Sequence, residues 1–349
     1  MKSLVPVPSR LISTAQLLEE TGSVNDWTRI SKSNLMLKYV GMLLEKLHDI
    51  VSKFFKFGLH FWTKSSEIER ICISGGYHTS NMSYQVAKSI KKSKKLVTTS
   101  RILFHPHVFE VSSVFEDITR EKNIATHDID GRSTLRMKIV SKNLTYCLNS
   151  LKHVNDVISH VEEMLQVEVK ITDKRHAALL NEFWSLLRPG VRRVSDEDWG
   201  ELGFQGSNPC TDFRGMGLFG LDQLVHLAKE SGAASILHDS KHPRRYYPFA
   251  CVGINISAFT VELLRGRHLH LHLLRNLESI STSVTGEGVD ANGHDWLVVK
   301  GYDAVHLIYC DIYELFSSTW RLRDPPNVMH FLEIFTEVKA EMRKKYPCI

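Results

Sequence analysis

Residues Trp199 to Leu221 read W-G-E-L-G-F-Q-G-S-N-P-C-T-D-F-R-G-M-G-L-F-G-L, and the rest of the chain is best understood outward from them. The stretch is dense in glycine, carries Pro209, and sets one arginine, Arg214, between Phe213 and Gly215. A glycine inside a helix costs about 1 kcal/mol relative to alanine. Glycine at this density therefore marks backbone that turns sharply or is approached closely. Asp212 and Arg214 stand two apart and do not share a helix face. At a loop-to-helix junction, Asp212 is expected to cap the helix while Arg214 projects from its first turn. Gly215 and Gly217 leave little side chain around the guanidinium to obstruct a docking partner.

Helical patterns flank this stretch. Upstream, Asp173 caps an expected helix whose face carries Leu180, Phe183, Trp184 and Leu187, and Arg188-Pro189-Gly190 stops it. Downstream, Leu221, Leu224, Val225 and Ala228 continue at helical spacing. Tyr247 to Leu264 is almost uncharged, and its β-branched content leaves helix and strand open on periodicity alone. His268 and His272 would share a helix face, as would His238 and His242. Without H-E-x-x-H or a nearby carboxylate ligand, these histidines read as surface residues. Residues 284–301 are Gly-rich and read as an inserted surface loop, after which Tyr302 to Trp320 resumes helical character. A last helix is expected with Asp324 as cap, Pro325 in its first turn, and Val328, Phe331, Leu332, Phe335, Val338 and Met342 on one face.

The first half is less specific. Residues 1–34 are polar and mixed. From Leu37 to Phe61, Val40, Leu44, Leu47, Val51, Phe54 and Gly58 recur at steps of three and four, interrupted by lysines and acids. No window reaches the roughly 20 uncharged residues of a transmembrane span. Two readings stand for this amphipathic helix: packing on the body of the protein, or lying in a lipid interface with Phe54, Phe55, Phe57, Phe61 and Trp62 among lysines. Between Ser83 and Arg101 stand Lys88, Lys91, Lys92, Lys94, Lys95 and Arg101 with no acidic residue. That run is either a solvated helix face or a patch for anionic lipid. No aromatic residue interleaves the lysines, which argues against nucleic acid. From Leu144 to Val167 a further amphipathic helix is expected, carrying Leu148, Leu151, Val154, Ile158, Val161 and Leu165.

With 349 residues, the chain fits one large domain or two smaller ones, and 43% hydrophobic residues suffice to bury a core. A formal charge of +5 is too small to name a partner by itself. The six cysteines are scattered with no C-x-x-C, so reduced thiols in a cytoplasmic protein are expected, with no disulfide framework or zinc site. M-K-S-L-V-P-V-P-S-R lacks the apolar run of a secretory signal, so the N-x-S/T triplets at Asn81, Asn143 and Asn255 are taken as chance matches. Ser74-Gly75-Gly76 is not followed by the G-K-S/T of a phosphate loop. His105-Pro106-His107 lacks further metal ligands. No Ser-His-Asp ordering, close carboxylate pair or metal cluster is apparent, which argues against a self-contained hydrolase or transferase. Two readings of Arg214 remain: a packing element bonded beside Asp212, or a guanidinium offered to a partner's nucleotide site.

The central stretch resembles the signature of the ELMO-domain family: a Trp, then G-F-Q, then P-x-T-D-F-R-G-x-G-x-x-G-L. The matching residues are Trp199, Gly203, Phe204, Gln205, Pro209, Thr211, Asp212, Phe213, Arg214, Gly215, Gly217, Gly220 and Leu221. The resemblance implies an all-α fold, an irregular multi-helix ELMO domain, with a buried helix over Tyr247 to Leu264. Organisation is expected as a polar amino-terminal segment and amphipathic helix over 1–65, a helical region over 66–171, and the ELMO domain over 172–345. The resemblance further implies a GTPase-activating protein, one that accelerates GTP hydrolysis by Arf-family and Arf-like small GTPases, with the Arg of T-D-F-R-G, here Arg214, as the finger supplied in trans. The partner GTPase would supply GTP, Mg²⁺ and the water-positioning residue, so no cofactor is expected in this chain. Gln205, Thr211 and Asp212 would then hold the loop, Gly215 and Gly217 would admit the partner, and Trp199, Phe204 and Phe213 would anchor it in the core. The alternative is a non-catalytic adaptor that binds small GTPases or their exchange factors, like the longer ELMO scaffolds, which lack the finger arginine. A cytoplasmic location is expected, with peripheral attachment to intracellular membranes if the amphipathic helix and lysine run meet anionic lipid.

Overall fold

The step of apolar residues accounts for most of the helices, and side-chain caps at Ser66, Thr79, Thr134 and Asp173 fix the starts of some of them. The computed structural model describes residues 65–349, apart from 75–77, 106–108, 127–133 and 284–295, together with separate positions between 40 and 58. The chain divides into two compact units, Met1–Ser65 and Ser66–Ile349. In the first unit the described positions, among them Leu44, Leu47, Val51 and Phe54, are helical with exposed side chains. Leu37, Phe55, Phe57, Phe61 and Trp62 lie outside the described residues, as do Gly75 and Gly76, Pro106 and His107, and 284–295 of the Gly-rich segment.

The second unit is all-α, with no strand among the described residues. Its helices are α1 (Glu67–Ser74), α2 (Ser80–Lys92), α3 (Val97–Leu103), α4 (Val111–Lys122), α5 (Leu135–Gln166) and α6 (Lys174–Leu187). After two 3₁₀ turns, Asp196–Leu202 and Pro209–Gly215, come α7 (Gly217–Lys229), α8 (Ala233–Ser240) and α9 (Phe249–Arg265). α10 (His270–Ser283), α11 (Trp296–Arg323), a short 3₁₀ turn Val328–His330 and α12 (Phe331–Lys345) complete it.

The spine is α5, which packs on α1, α2, α4, α7 and α11. Thr134 caps it by accepting from Met137 N, and Val140, Leu144, Leu148, Leu151, Val154, Ile158 and Val161 form its buried stripe. The helix starts nine residues before the periodicity alone indicates. Two buried amides on α5 satisfy carbonyls at the ends of other helices: Asn143 donates to Cys72 O and Asn155 to Leu103 O, both at 2.7 Å. Helix ends leave such carbonyls without intrahelical partners, and burying them bare is costly. These bonds tie α1 and α3 to the spine.

α9 is the buried helix expected for Tyr247 to Leu264, with Phe249, Val252, Ile256, Phe259, Leu263 and Leu264 in the core. Gly253 permits its close approach, since a Cβ there would sit 2.7 Å from the Tyr309 hydroxyl on α11. Several local expectations are corrected. Trp296 to Lys300 belongs to α11 and not to a surface loop. At the end of the chain, Asn327 caps the 3₁₀ turn before α12, while Asp324 (φ +42°) leaves the helical path and pairs with Arg245. Ile334, Phe335, Val338 and Met342 form the buried face of α12, whereas Val328 and Leu332 are exposed. His268, expected at the surface, is half-buried with Nδ1 2.6 Å from Tyr346 O, and nearby His270 is a core residue whose basicity burial pushes down to about 3. Among the described residues no single helix is long and apolar enough to cross a membrane, and no group of His, Cys, Asp and Glu is arranged to hold a metal ion.

Candidate functional site

The central stretch forms the irregular connection between α6 and α7, built on a row of edge-to-face aromatic rings. Asp173 starts α6 as expected, accepting from Arg175 N and His176 N. Trp184 on α6 meets Trp199 at 5.8 Å between ring centroids, Trp199 meets Phe204 at 5.6 Å, and Phe204 meets Phe213 at 5.8 Å. Trp199 and Phe213 are both 1% exposed and Phe204 6%, so the expected aromatic anchors are in the core. The Arg193 guanidinium covers the Trp199 ring at 4.6 Å, a cation–π contact. The first 3₁₀ turn is set by Asp198, whose carboxylate accepts from Val194 N and Ser195 N, and these bonds hold it below the usual carboxylate range.

Two glycines fix the path on either side of Arg214. Gly203 ends the first 3₁₀ turn at φ +81°, and a Cβ there would fall within 2.9 Å of Phe249 N and of Pro248 C and Cα. Its carbonyl accepts from Cys251 N in the first turn of α9. Gly217 has φ +50° and is buried, and a Cβ there would lie 2.8 Å from Leu165 C and Met164 O at the end of α5. Leu218 N, the next residue, donates to Val167 O at 2.9 Å. Gly217 therefore serves close packing within the protein and not access for a partner, as first expected. Gly215 is exposed with nothing within 4 Å of its missing Cβ, so it alone of the two keeps the expected open approach. Gly220 is buried against Met216 and Phe213.

Asn208 caps the second 3₁₀ turn by accepting from Cys210 N, with buried Pro209 as the first residue inside. Asp212 does not cap α7. Its carboxylate accepts from Gln205 N at 2.7 Å, strapping the G-F-Q loop to the turn that carries Arg214. The Cys251 thiol lies 3.8 Å from the same oxygen and is pushed up to about 12 by burial and by that carboxylate. Gln205 thus contributes through its backbone, and its side chain is exposed. Thr211 donates its hydroxyl to Asn208 O at 2.8 Å.

Arg214 stands exposed on this scaffold. Its Nε donates to Thr211 O at 2.9 Å, and no described carboxylate forms an ion pair with it. The bond fixes the plane of the guanidinium from its inner edge, and among the described residues neither terminal nitrogen has a hydrogen-bond partner. Beside it opens a groove of about 850 Å³, walled by the end of α5, by residues 168–172 and by Asn208, Cys210 and Thr211. Ile171, 49% exposed, is its prominent apolar side chain.

A family model for ELMO/CED-12 matches residues 159–335, half of the chain. The chain belongs to the ELMO/CED-12 family. It is 29% identical over 287 residues to ELMO domain-containing protein 2 of Homo sapiens, covering 80% of this chain and 87% of that one. It is 30% identical over 228 residues to ELMO domain-containing protein B of Dictyostelium discoideum, covering 64% and 78%. With ELMO domain-containing protein 1 of Mus musculus it shares 27% over 312 residues, covering 83% and 85%. No solved structure matches the chain.

Within the ELMO signature, sequence reasoning gave no role to Asn208, although Asn before Pro209 is a recognisable helix-start pair. Arg193 and the 168–172 wall went unassigned too. Their places depend on Trp199 and on the packing of α5 against α7, which no local pattern reports.

Proposed function

We propose that this ELMO-domain protein is a GTPase-activating protein for Arf-family or Arf-like small GTPases, with Arg214 as the finger it supplies in trans. The observation that carries the reading is the tether on Arg214. Its inner nitrogen is spent on Thr211 O, and among the described residues its two outer nitrogens are free and no carboxylate competes for them. ELMO-family proteins are linked to small-GTPase pathways. GTP hydrolysis spreads negative charge over the phosphoryl oxygens as the bond to the leaving group breaks. A planar, permanently charged fork matches two such oxygens at once. Supplied to a GTPase from outside, it is worth about 10³ to 10⁵ in rate.

GTP and Mg²⁺ belong to the partner. This chain contributes the guanidinium, the rigid turn that aims it, and the groove along 168–172 against which the GTPase would rest. Asp212 acts as a positioning residue by holding the Gln205 amide, and open Gly215 leaves the approach clear. Such a protein works in the cytoplasm, where the GTP-loaded partner is met.

The test is single-turnover hydrolysis with GTP-loaded Arf, Arf-like and Rac-type GTPases. Acceleration of at least one Arf or Arf-like member by about 10³ or more is expected. Binding without acceleration of any member would overturn the activator reading in favour of an adaptor.

A further inference from the structure

Part of the lysine run, which the site around Arg214 does not use, stays exposed in the fold, while Lys91 donates to Ile349 O and Lys88 covers the Tyr84 ring. α2 ends at Lys92, the turn Lys94–Leu96 follows directly, and α3 leads on from Val97. Lys92, Lys94, Lys95 and Arg101 are all exposed, and among the described residues none of them has an ion-pair partner. No Asp or Glu occurs between Glu69 and Glu110 to supply one. This differs from the treatment of cations elsewhere on the unit. Arg265 holds Glu162 with both ends of its fork, Arg323 likewise holds Glu337, and Lys229, Arg321 and Lys345 each sit at 3.0–3.1 Å from a carboxylate.

Neighbouring elements add to the charge. Lys122, from the end of α4, donates to Ser93 Oγ at 2.6 Å. Burial and then the charge of Lys95 hold its ammonium below the usual lysine range. Apolar side chains stand in the same surface: Val97 is 48% exposed and Ile102 42% exposed, each adjoining the cations in a helix whose other side, Thr99 and Leu103, is buried. Unpaired lysines interspersed with exposed aliphatic side chains meet two needs of a bilayer interface, charge for the headgroups and apolar surface for the acyl boundary. A nucleic acid would be served better by several arginine forks and by stacking aromatics, whereas Arg101 is the single arginine between 92 and 102 and no aromatic residue stands there.

We propose that the surface formed by Lys92, Lys94, Lys95, Val97, Arg101 and Ile102 docks the protein on an anionic lipid bilayer. The inference is independent of the activator reading, because it uses none of the residues around Arg214.

The experiment is co-sedimentation of the full chain with phosphatidylcholine vesicles containing 0 or about 30% phosphatidylserine, at low and high salt. Binding to the anionic vesicles only is expected, and it should fall sharply at about 1 M salt, where charges are screened within about 3 Å. The doubly substituted Lys94→Gln/Lys95→Gln protein should partition roughly 30-fold more weakly, at about fivefold per cation near the surface. Ile102→Asn should weaken it further. Both positions are exposed, and an unchanged melting temperature checks that the fold persists. Equal binding to neutral vesicles, undiminished binding of the double variant, or binding to a double-stranded oligonucleotide without binding to vesicles would each overturn the proposal.

Discussion

Replacing Gly203 with alanine is expected to destabilise the protein by about 3–6 kcal/mol, and the components can be separated by companion substitutions. At φ +81° an alanine Cβ costs about 1–2 kcal/mol in backbone strain alone. The new methyl would also lie within 2.9 Å of three backbone atoms of Pro248 and Phe249, so relief requires moving the start of α9 away from the loop. Overpacking of that kind costs about 1–3 kcal/mol. The same movement breaks the bond from Cys251 N to Gly203 O, worth about 1 kcal/mol. Gly206 shares the left-handed conformation (φ +78°) but has open space around it, so Gly206→Ala should cost only the strain, about 1–2 kcal/mol. Gly215 has neither constraint, and Gly215→Ala should stay within about 0.5 kcal/mol of wild type. Guanidinium denaturation followed by circular dichroism ranks the three directly. Should Gly203→Ala unfold at the same midpoint as Gly206→Ala, the close packing of the signature on α9 would be refuted.

Phe213→Ala removes a buried ring from the aromatic row and should cost about 3–5 kcal/mol in the same denaturation assay. Asp212→Ala should cost about 1.5–3 kcal/mol by losing the charged acceptor of Gln205 N, and single-turnover GTP hydrolysis should slow at saturating protein while the helical spectrum is kept. Asp222, whose carboxyl accepts from the Tyr302 hydroxyl, is pushed up to about 6 by burial. The unfolded chain therefore ionises it more readily than the folded protein. The contribution of Asp222 to stability is fullest below the unfolded value near 3.8 and is lost as pH rises through 6. Asp222→Asn should melt higher than wild type at pH 8, on the order of 2 kcal/mol, with the advantage shrinking as pH is lowered from 6 toward 4.

Helices whose signals are local were legible from residues alone. Asp173 caps α6 through amides two and three positions ahead, and the stripe of α5 repeats every three or four residues. The aromatic anchors were legible because rings in a glycine-rich connection have few places to go but the core. Misreadings arose where the partner is distant. Asp212 looked like a cap, but the amide it holds lies seven residues upstream. Gly217 looked like an opening for a ligand, but its neighbour is the end of α5, some fifty residues earlier in the chain. At the last helix two cap-like residues, Asp324 and Asn327, compete within four positions, and the ion pair to Arg245 draws the first of them away. The groove beside Arg214 left no trace in the sequence, because 165–172 and 208–214 meet only through the packing of α5 on α7.

The most direct measurement is single-turnover GTP hydrolysis by an Arf-like GTPase, comparing wild type with Arg214→Lys at matched, saturating concentrations. Arg214 is exposed and among the described residues bonds only to a neighbouring carbonyl, so lysine should leave the melting temperature unchanged while keeping the positive charge. An ammonium cannot grip two phosphoryl oxygens in one plane. Loss of nearly all the acceleration, by about 10³ or more, is expected. Hydrolysis by Arg214→Lys as fast as wild type would contradict the assignment of Arg214 as the finger.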